Sequence, residues 1–299
     1  MNLLITGAWK DGKEYIDKLK DMGHCVFYMR YEKNELPCAY EWVEGVICNG
    51  LFLHHAIEKF VNLKYIQLTC AGYDRIPMEY VRKQGIVVYN TGNVYAIPMA
   101  EFTLAGVLQL YKKMDYFREN QKRHLWEKNR DVMELHGKNI CIVGCGNAGT
   151  ECAKRFQAFG CRVIGVNRSQ FSSDAYTRVI GLNKLDEVLP EADIVILTIA
   201  LTEETRHLIS RSRLKQMKNS AILVNISRGA IIDSDALLDE IDNIGGALLD
   251  VFEEEPLDEK SRLWELENVI ITPHNSFVGE KNLSRLSDVL LGNLERDLI

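Results

Sequence analysis

The sequence predicts an α/β fold of two domains, each built on a parallel sheet, and two observations carry that expectation. Short apolar runs alternate with amphipathic stretches of helical length, the pattern of strands joined by crossover helices. This alternation occurs twice, on either side of a long helical pattern, and 299 residues suffice for two separate cores.

Taken in order, the first strand runs are 2–7, 25–30, 45–49, 65–70 and 87–91. A long helix is then predicted from Pro98, because proline suits a first helical turn, through Ala100, Leu104, Val107, Leu108 and Tyr111. After a polar stretch the alternation resumes, with strands expected at 139–144, 162–167, 193–199, 221–227, 246–252 and 268–272. An amphipathic helix from about 278 to the C-terminus closes the chain, and no internal repeat is visible.

Composition narrows the function classes. Hydrophobic residues at 46% and charged residues at 26% argue against disorder. A net charge of -6 gives no reason to expect nucleic acid, which calls for a concentrated basic surface. The most basic stretch, Lys122-Arg123-His124, is soon followed by Glu127, Asp131 and Glu134 and reads as a solvated face. None of the eight cysteines pair as C-x-x-C, and Cys48, Cys70 and Cys141 lie in apolar runs where a thiol packs as a small hydrophobe. The chain start lacks a basic leader, and no apolar run approaches the roughly eighteen residues of a membrane span. Reduced thiols in a cytoplasmic protein, with no metal site and no membrane partner, are the expectation.

The strongest local signal is Gly144-Cys145-Gly146-Asn147-Ala148-Gly149, a G-x-G-x-x-G loop. An apolar strand ends at Gly144, a helical pattern opens through Ala153, Phe156 and Phe159, and Gly160 precedes the next strand. In that setting the first glycine permits a tight turn, the second lets a pyrophosphate approach the backbone, and the third allows close helix–strand packing. The phosphates of a dinucleotide would meet free amides at the positive end of a helix. The second strand ends in Asn167-Arg168-Ser169, where an NAD site usually carries a carboxylate for the ribose 2′-hydroxyl. A carboxylate would repel a 2′-phosphate, whereas Asn, Arg and Ser can each donate to one. NADP is therefore favoured over NAD, the alternative being that Asn167 binds the NAD diol while Arg168 faces solvent.

Three later segments, Asn225-Ile226-Ser227-Arg228-Gly229, Asp250-Val251-Phe252-Glu253-Glu254-Glu255-Pro256 and Thr272-Pro273-His274-Asn275-Ser276, follow the glycine loop in order. With Cys70-Ala71-Gly72-Tyr73-Asp74, Met99-Ala100-Glu101, Glu134-Leu135-His136-Gly137-Lys138 and Leu201-Thr202-Glu203-Glu204-Thr205, the chain resembles the D-isomer-specific 2-hydroxyacid dehydrogenase family over nearly its whole length. Taken singly, His274 after a proline reads as structural, Glu255 as part of a solvated acidic loop, and Arg228 as decorating a turn. All three follow predicted strands, however, and ligand crevices form at the carboxyl ends of such strands.

Chemistry separates their roles. Reducing a 2-oxo acid needs a cation for the carboxylate, a proton donor for the carbonyl oxygen and a hydride donor. Arg228 suits the first role through its planar fork, and His274 the second as a general acid. Glu255, in contact with the imidazole, would favour its charged form. The resemblance implies the same three catalytic roles. It also implies that Asp250 holds the nicotinamide carboxamide, and that the backbone amides around Ala71 and Gly72 receive the substrate carboxylate. The candidate cofactor contacts are Gly144, Gly146, Asn147, Ala148, Gly149, Asn167, Arg168, Ser169, Thr205, Ile226 and Asp250.

The resemblance further implies a Rossmann domain, 96–271, inserted into a flavodoxin-like substrate domain, 1–95 and 272–299, with a cleft that closes on the substrate. It implies a homodimer through the helix from Pro98, although Leu104, Val107, Leu108 and Tyr111 equally suit an internal core. The sequence departs from the family at Ala200, often proline, at Asn147, often arginine, and at Ser276, often glycine. The expected activity is hydride transfer between NAD(P)H and a small 2-oxo acid to give a D-2-hydroxy acid, with glyoxylate or hydroxypyruvate favoured. A dinucleotide-binding regulator of transcription and a phosphoglycerate-type dehydrogenase are the competing readings. The first would need a peptide groove or an added segment, and no extension beyond the two domains is expected. The second would need basic residues near Ala71–Tyr73, where Arg75 alone stands close.

Overall fold

The computed structural model describes residues 1–296 as two compact units, 1–95 with 279 onward, and 96–278. In the first, strands β1 (Asn2–Thr6), β2 (Cys25–Met29), β3 (Gly45–Cys48), β4 (Tyr65–Leu68) and β5 (Val87–Tyr89) form a parallel sheet. Their order is β2-β1-β3-β4-β5, the flavodoxin-like order. Side chains alternate across each strand, so Leu4, Val46 and Ile66 join one apolar layer while Leu3, Ile5 and Ile47 join the other. The helix Asn282–Arg296 covers the second layer with Leu286, Leu290 and Leu294, at helical spacing. Its polar residues there are partnered: Trp9 Nε1 donates to Ser287 Oγ at 2.9 Å, and Asn293 Nδ2 donates to Gln67 Oε1 at 2.9 Å.

The second unit holds β6 (Asn139–Val143), β7 (Arg162–Asn167), β8 (Arg178–Gly181), β9 (Ile194–Leu197), β10 (Ile222–Asn225), β11 (Gly246–Leu249) and β12 (Val269–Ile271). They lie parallel in the order β12-β11-β10-β9-β6-β7-β8, the dinucleotide-binding arrangement with its reversal between β6 and β9. β9 through β11 are buried on both faces, which is why their sequences read as unbroken apolar runs.

Two elements depart from the sequence expectation. β8 was absent from it, because Val179 and Ile180 are only half-buried on a sheet edge and too short a run to register. The helix Met114–Lys122 falls in the expected polar stretch; Asn120 is its buried residue, so no apolar stripe announces it. The helix predicted from Pro98 begins at Ala96, which leaves the proline within the first turn. Val107 and Tyr111 of that helix are buried in the unit's own core, with Leu104 and Leu108 packed against it. Gly106 rests on Leu248 of β11, where a methyl group would lie 2.5 Å from Cδ2. Those four side chains are therefore committed internally. The expected boundary at 272 falls inside the loop after β12, which stays with the second unit through bonds described below.

Candidate active site

The glycine loop joins β6 to the helix Asn147–Ala158. Gly144 has φ +99°, and a Cβ there would lie 2.5 Å from the Ile199 nitrogen. A Cβ on Gly149 would lie 2.1 Å from the Gly144 carbonyl oxygen. Around Gly146, by contrast, a Cβ would meet nothing within 4 Å. Two glycines thus let helix and strand close up, while the middle one faces an open cradle beside the helix N-terminus. That cradle suits a pyrophosphate, which needs backbone approach and N–H donors. Cys145 inside the loop is no nucleophile, since burial pushes its thiol up to about 11.

At the end of β7, Asn167 is largely committed. Its Oδ1 accepts the Cys145 N–H at 3.4 Å and its Nδ2 donates to the Ser169 carbonyl at 3.1 Å. Arg168 and Ser169 are exposed. The Arg168 guanidinium stands 3.9 Å from Glu204, a carboxylate that spacing did not reveal as its neighbour. Thr205 and Ile226 are buried. Thr205 Oγ1 donates to the Ala200 carbonyl at 2.8 Å and accepts the Thr202 N–H at 2.8 Å, so it shapes its loop from within. The Ile226 side chain belongs to the core, which leaves only its backbone to offer a ligand.

The three candidate catalytic residues stand on loops after β10, β11 and β12, whose carboxyl ends share one sheet edge. Asn225 closes β10 and its Nδ2 donates to the Arg228 carbonyl at 2.9 Å, curling the chain back. Arg228 is half-buried, and its Nη1 donates to the Ser227 carbonyl at 2.8 Å. Gly229 lets this turn abut the next loop: a Cβ there would lie 1.8 Å from the Phe252 carbonyl carbon.

Asp250, fully buried after β11, staples the loop after β12. Its Oδ1 accepts Thr272 Oγ1 at 2.6 Å and the Asn275 N–H at 2.7 Å, and its Oδ2 accepts the Ser276 N–H at 2.9 Å. The Asp250 carbonyl accepts the His274 N–H at 2.8 Å. These bonds hold His274 at φ +51°, a conformation uncommon outside glycine and characteristic of sites that the surroundings over-determine. A carboxylate has about four acceptor positions, so three are taken and one is left.

His274 Nδ1 lies 2.9 Å from Glu255 Oε2, while the other Glu255 oxygen accepts the Phe252 N–H at 3.2 Å. The imidazole therefore donates from Nδ1, and Nε2 makes no bond among the described residues. The Phe277 ring stands edge-on to the imidazole at 6.0 Å. In the first unit, the Ala71 carbonyl accepts Asn90 Nδ2 at 2.8 Å and the Gly72 carbonyl accepts Cys70 Sγ at 3.4 Å. The Ala71 and Gly72 N–H groups have no acceptor among the described residues. The sequence names Thr272 within its motif but assigns it no role. Its contact with Asp250 follows from the register Leu249↔Ile271, which is legible only once β11 and β12 are known to be neighbours.

Among the described residues no cluster of three or more His, Cys, Asp or Glu side chains is placed to hold a metal. The His274–Glu255 pair and the Arg228 loop belong to the same unit as the glycine loop.

Residues 104–276 match the family described as D-isomer specific 2-hydroxyacid dehydrogenase, NAD binding domain. A glyoxylate reductase of Korarchaeum cryptofilum is 34% identical over 247 residues, covering 79% of this chain and 74% of that protein. A hydroxypyruvate reductase of Thermotoga maritima is 36% identical over 223 residues, covering 73% and 72%. The crystal structure of D-lactate dehydrogenase from Aquifex aeolicus, complexed with NAD and lactic acid, superposes with a TM-score of 0.84 at 26% identity, covering 99% of this chain and 95% of that one. The chain belongs to the D-isomer-specific 2-hydroxyacid dehydrogenase family, oxidoreductases of the CH–OH group that depend on a nicotinamide dinucleotide.

Proposed function

We propose that this enzyme reduces a small 2-oxo acid, glyoxylate or hydroxypyruvate, to the D-2-hydroxy acid, with NADPH as the preferred donor. The observation that carries the reading is the His274–Glu255 pair at 2.9 Å, with Nε2 of the imidazole left for a substrate oxygen. The nicotinamide dinucleotide, when bound, supplies the hydride. Arg228 grips the substrate carboxylate and polarises the adjacent carbonyl. His274 delivers a proton from Nε2 to the carbonyl oxygen, and Glu255 stabilises the imidazolium and fixes the ring. Asp250 keeps the His274 loop in place and retains one acceptor position toward the carboxamide. The two small 2-oxo acids are favoured because relatives bear the names glyoxylate reductase and hydroxypyruvate reductase.

The preference for NADPH rests on Arg168 and Ser169, exposed donors at the end of β7 where a carboxylate would repel a 2′-phosphate. A homodimer is part of the proposal. Its support is the exposure of the large apolar side chains Met114, Leu125, Trp126 and Val132, with Trp126 99% exposed. Free thiols at all eight cysteines support a cytoplasmic setting. Among the described residues no helix is long and apolar enough to cross a membrane.

The test is the absorbance of reduced nicotinamide, followed with NADPH and NADH across a panel of 2-oxo acids that includes 3-phosphohydroxypyruvate. Oxidation of NADPH by glyoxylate or hydroxypyruvate is expected. Silence across the panel removes the assignment, and turnover confined to the phosphorylated acid replaces the substrate.

A further inference from the structure

His207, a residue that no motif singles out, stands where three loops of the second unit meet. Like His274, it is a non-glycine residue in the left-handed region, at φ +51°. Its N–H donates to the Ala230 carbonyl at 2.8 Å, which ties it to the turn just after Arg228. Its ring Nε2 lies 2.5 Å from Glu253 Oε1, and Glu253 Oε2 accepts the Ser234 N–H at 3.3 Å. Two residues earlier, buried Thr205 closes the loop after β9. His207 therefore bridges that loop, the Arg228 loop and the loop that carries Glu255.

The bridge has a mechanical consequence. The Glu255 segment is clasped locally by the Phe252 N–H bond to Glu255 Oε1. Gly229 blocks it from one side, since its backbone abuts the Phe252–Glu253 peptide. On the other side the side-chain anchor is Glu253, held by His207 and Ser234. Burial alone would raise the Glu253 carboxyl, but the Ser234 and His207 bonds outweigh it and hold the group below its ordinary value. A left-handed histidine whose backbone and ring are both engaged is a strained residue kept in place by its contacts, and such residues cluster at functional sites.

We infer that His207 is a positioning residue for the reaction: through Glu253 it fixes the 252–255 loop and thereby keeps the Glu255 carboxylate on Nδ1 of His274. The inference rests on the assignment of His274 and Glu255 above. It adds a specific energetic link, because His207 acts on the proton donor only by way of Glu255.

The experiment is a set of variants assayed for 2-oxo acid reduction with saturating dinucleotide. His207→Asn tolerates the left-handed backbone but is too short to reach Glu253. It is expected to lower kcat about tenfold, short of the roughly 10²-fold that about 1 Å of misplacement costs. KM for the dinucleotide and the 2-oxo acid should change less than about twofold. His207→Gln, which keeps a donor at similar reach, should restore most of kcat, and Glu253→Ala should reproduce the loss from the other side. In a Glu255→Gln background, His207→Asn should cost nothing further, because the group it positions is gone.

Full kcat in both His207→Asn and Glu253→Ala overturns the inference. So does a loss that persists unchanged in the Glu255→Gln background, or a rise in dinucleotide KM with kcat intact. If His207→Asn fails to fold, Glu253→Ala alone and with Glu255→Gln decides the matter. A wild-type enzyme silent toward every 2-oxo acid sinks the functional reading itself, whereas an active wild type with indifferent variants sinks only this link.

Discussion

The two parallel sheets use the same device at their carboxyl ends, an inward carboxylate that staples loops, with opposite outcomes. In the first unit Glu32 accepts Thr6 Oγ1, the Asn49 N–H and the Gly50 N–H, each at 2.7 Å, across the ends of β1 and β3. That is the switch point of a flavodoxin-like sheet, where such folds bind ligands, and here the chain fills it with its own side chain. In the second unit Asp250 accepts three donors in the same manner, but the loop it staples ends in an imidazole whose Nε2 has no partner among the described residues. A satisfied scaffold beneath an unsatisfied tip is what distinguishes the second crevice from the first.

His274→Ala probes that tip and carries the largest expected effect. Removing a general acid costs about 10²–10⁴ in turnover. Binding of the dinucleotide, measured by fluorescence titration, should stay near wild type. A variant that keeps most of its turnover ends the role assigned to His274.

Parallel substitutions of the two staples sharpen the comparison. Glu32→Gln and Asp250→Asn each turn an amide N–H₂ toward a former donor, so each should lower unfolding stability by about 1–3 kcal/mol, read from urea titrations. Their activities should diverge. Asp250→Asn should lose on the order of 10²-fold in kcat as the His274 loop shifts by about 1 Å. Glu32→Gln should retain wild-type kcat at a temperature where it is folded. Equal activity losses would mean that the first crevice takes part in the chemistry.

Smaller effects are expected at the dinucleotide's adenosine end. Arg168→Ala should raise KM for NADPH about tenfold, the scale of one charge-assisted hydrogen bond, while KM for NADH barely moves. Glu204→Gln removes the acidic neighbour of Arg168. Because exposed pairs are worth about 0–1 kcal/mol, KM for NADPH should fall only about twofold. A change of the same size with NADH would show that neither residue distinguishes the two cofactors.

How much of this was legible in the sequence follows from how each feature is encoded. Strands such as β9 through β11, buried on both faces, leave unbroken apolar runs, so the doubly wound fold was readable before any coordinates. β8 was not, because an edge strand of four residues that opens on the exposed Arg178 buries too little to leave a run. The glycine spacing was readable because steric demands at Gly144 and Gly149 admit no other residue. Glu255 and His274, named from motifs, do touch. The pairs Asp250–Thr272, Arg168–Glu204 and His207–Glu253 were invisible, since each joins loops whose adjacency depends on strand order rather than spacing.

The most direct measurement is a crystal structure of the enzyme with its dinucleotide and oxamate, an unreactive mimic of a 2-oxo acid. The oxamate carboxylate is expected on the Arg228 guanidinium and its amide oxygen within about 3 Å of His274 Nε2, with the Glu255 contact to Nδ1 preserved. Oxamate bound away from Arg228, or an imidazole with Nε2 turned from the ligand, would contradict it.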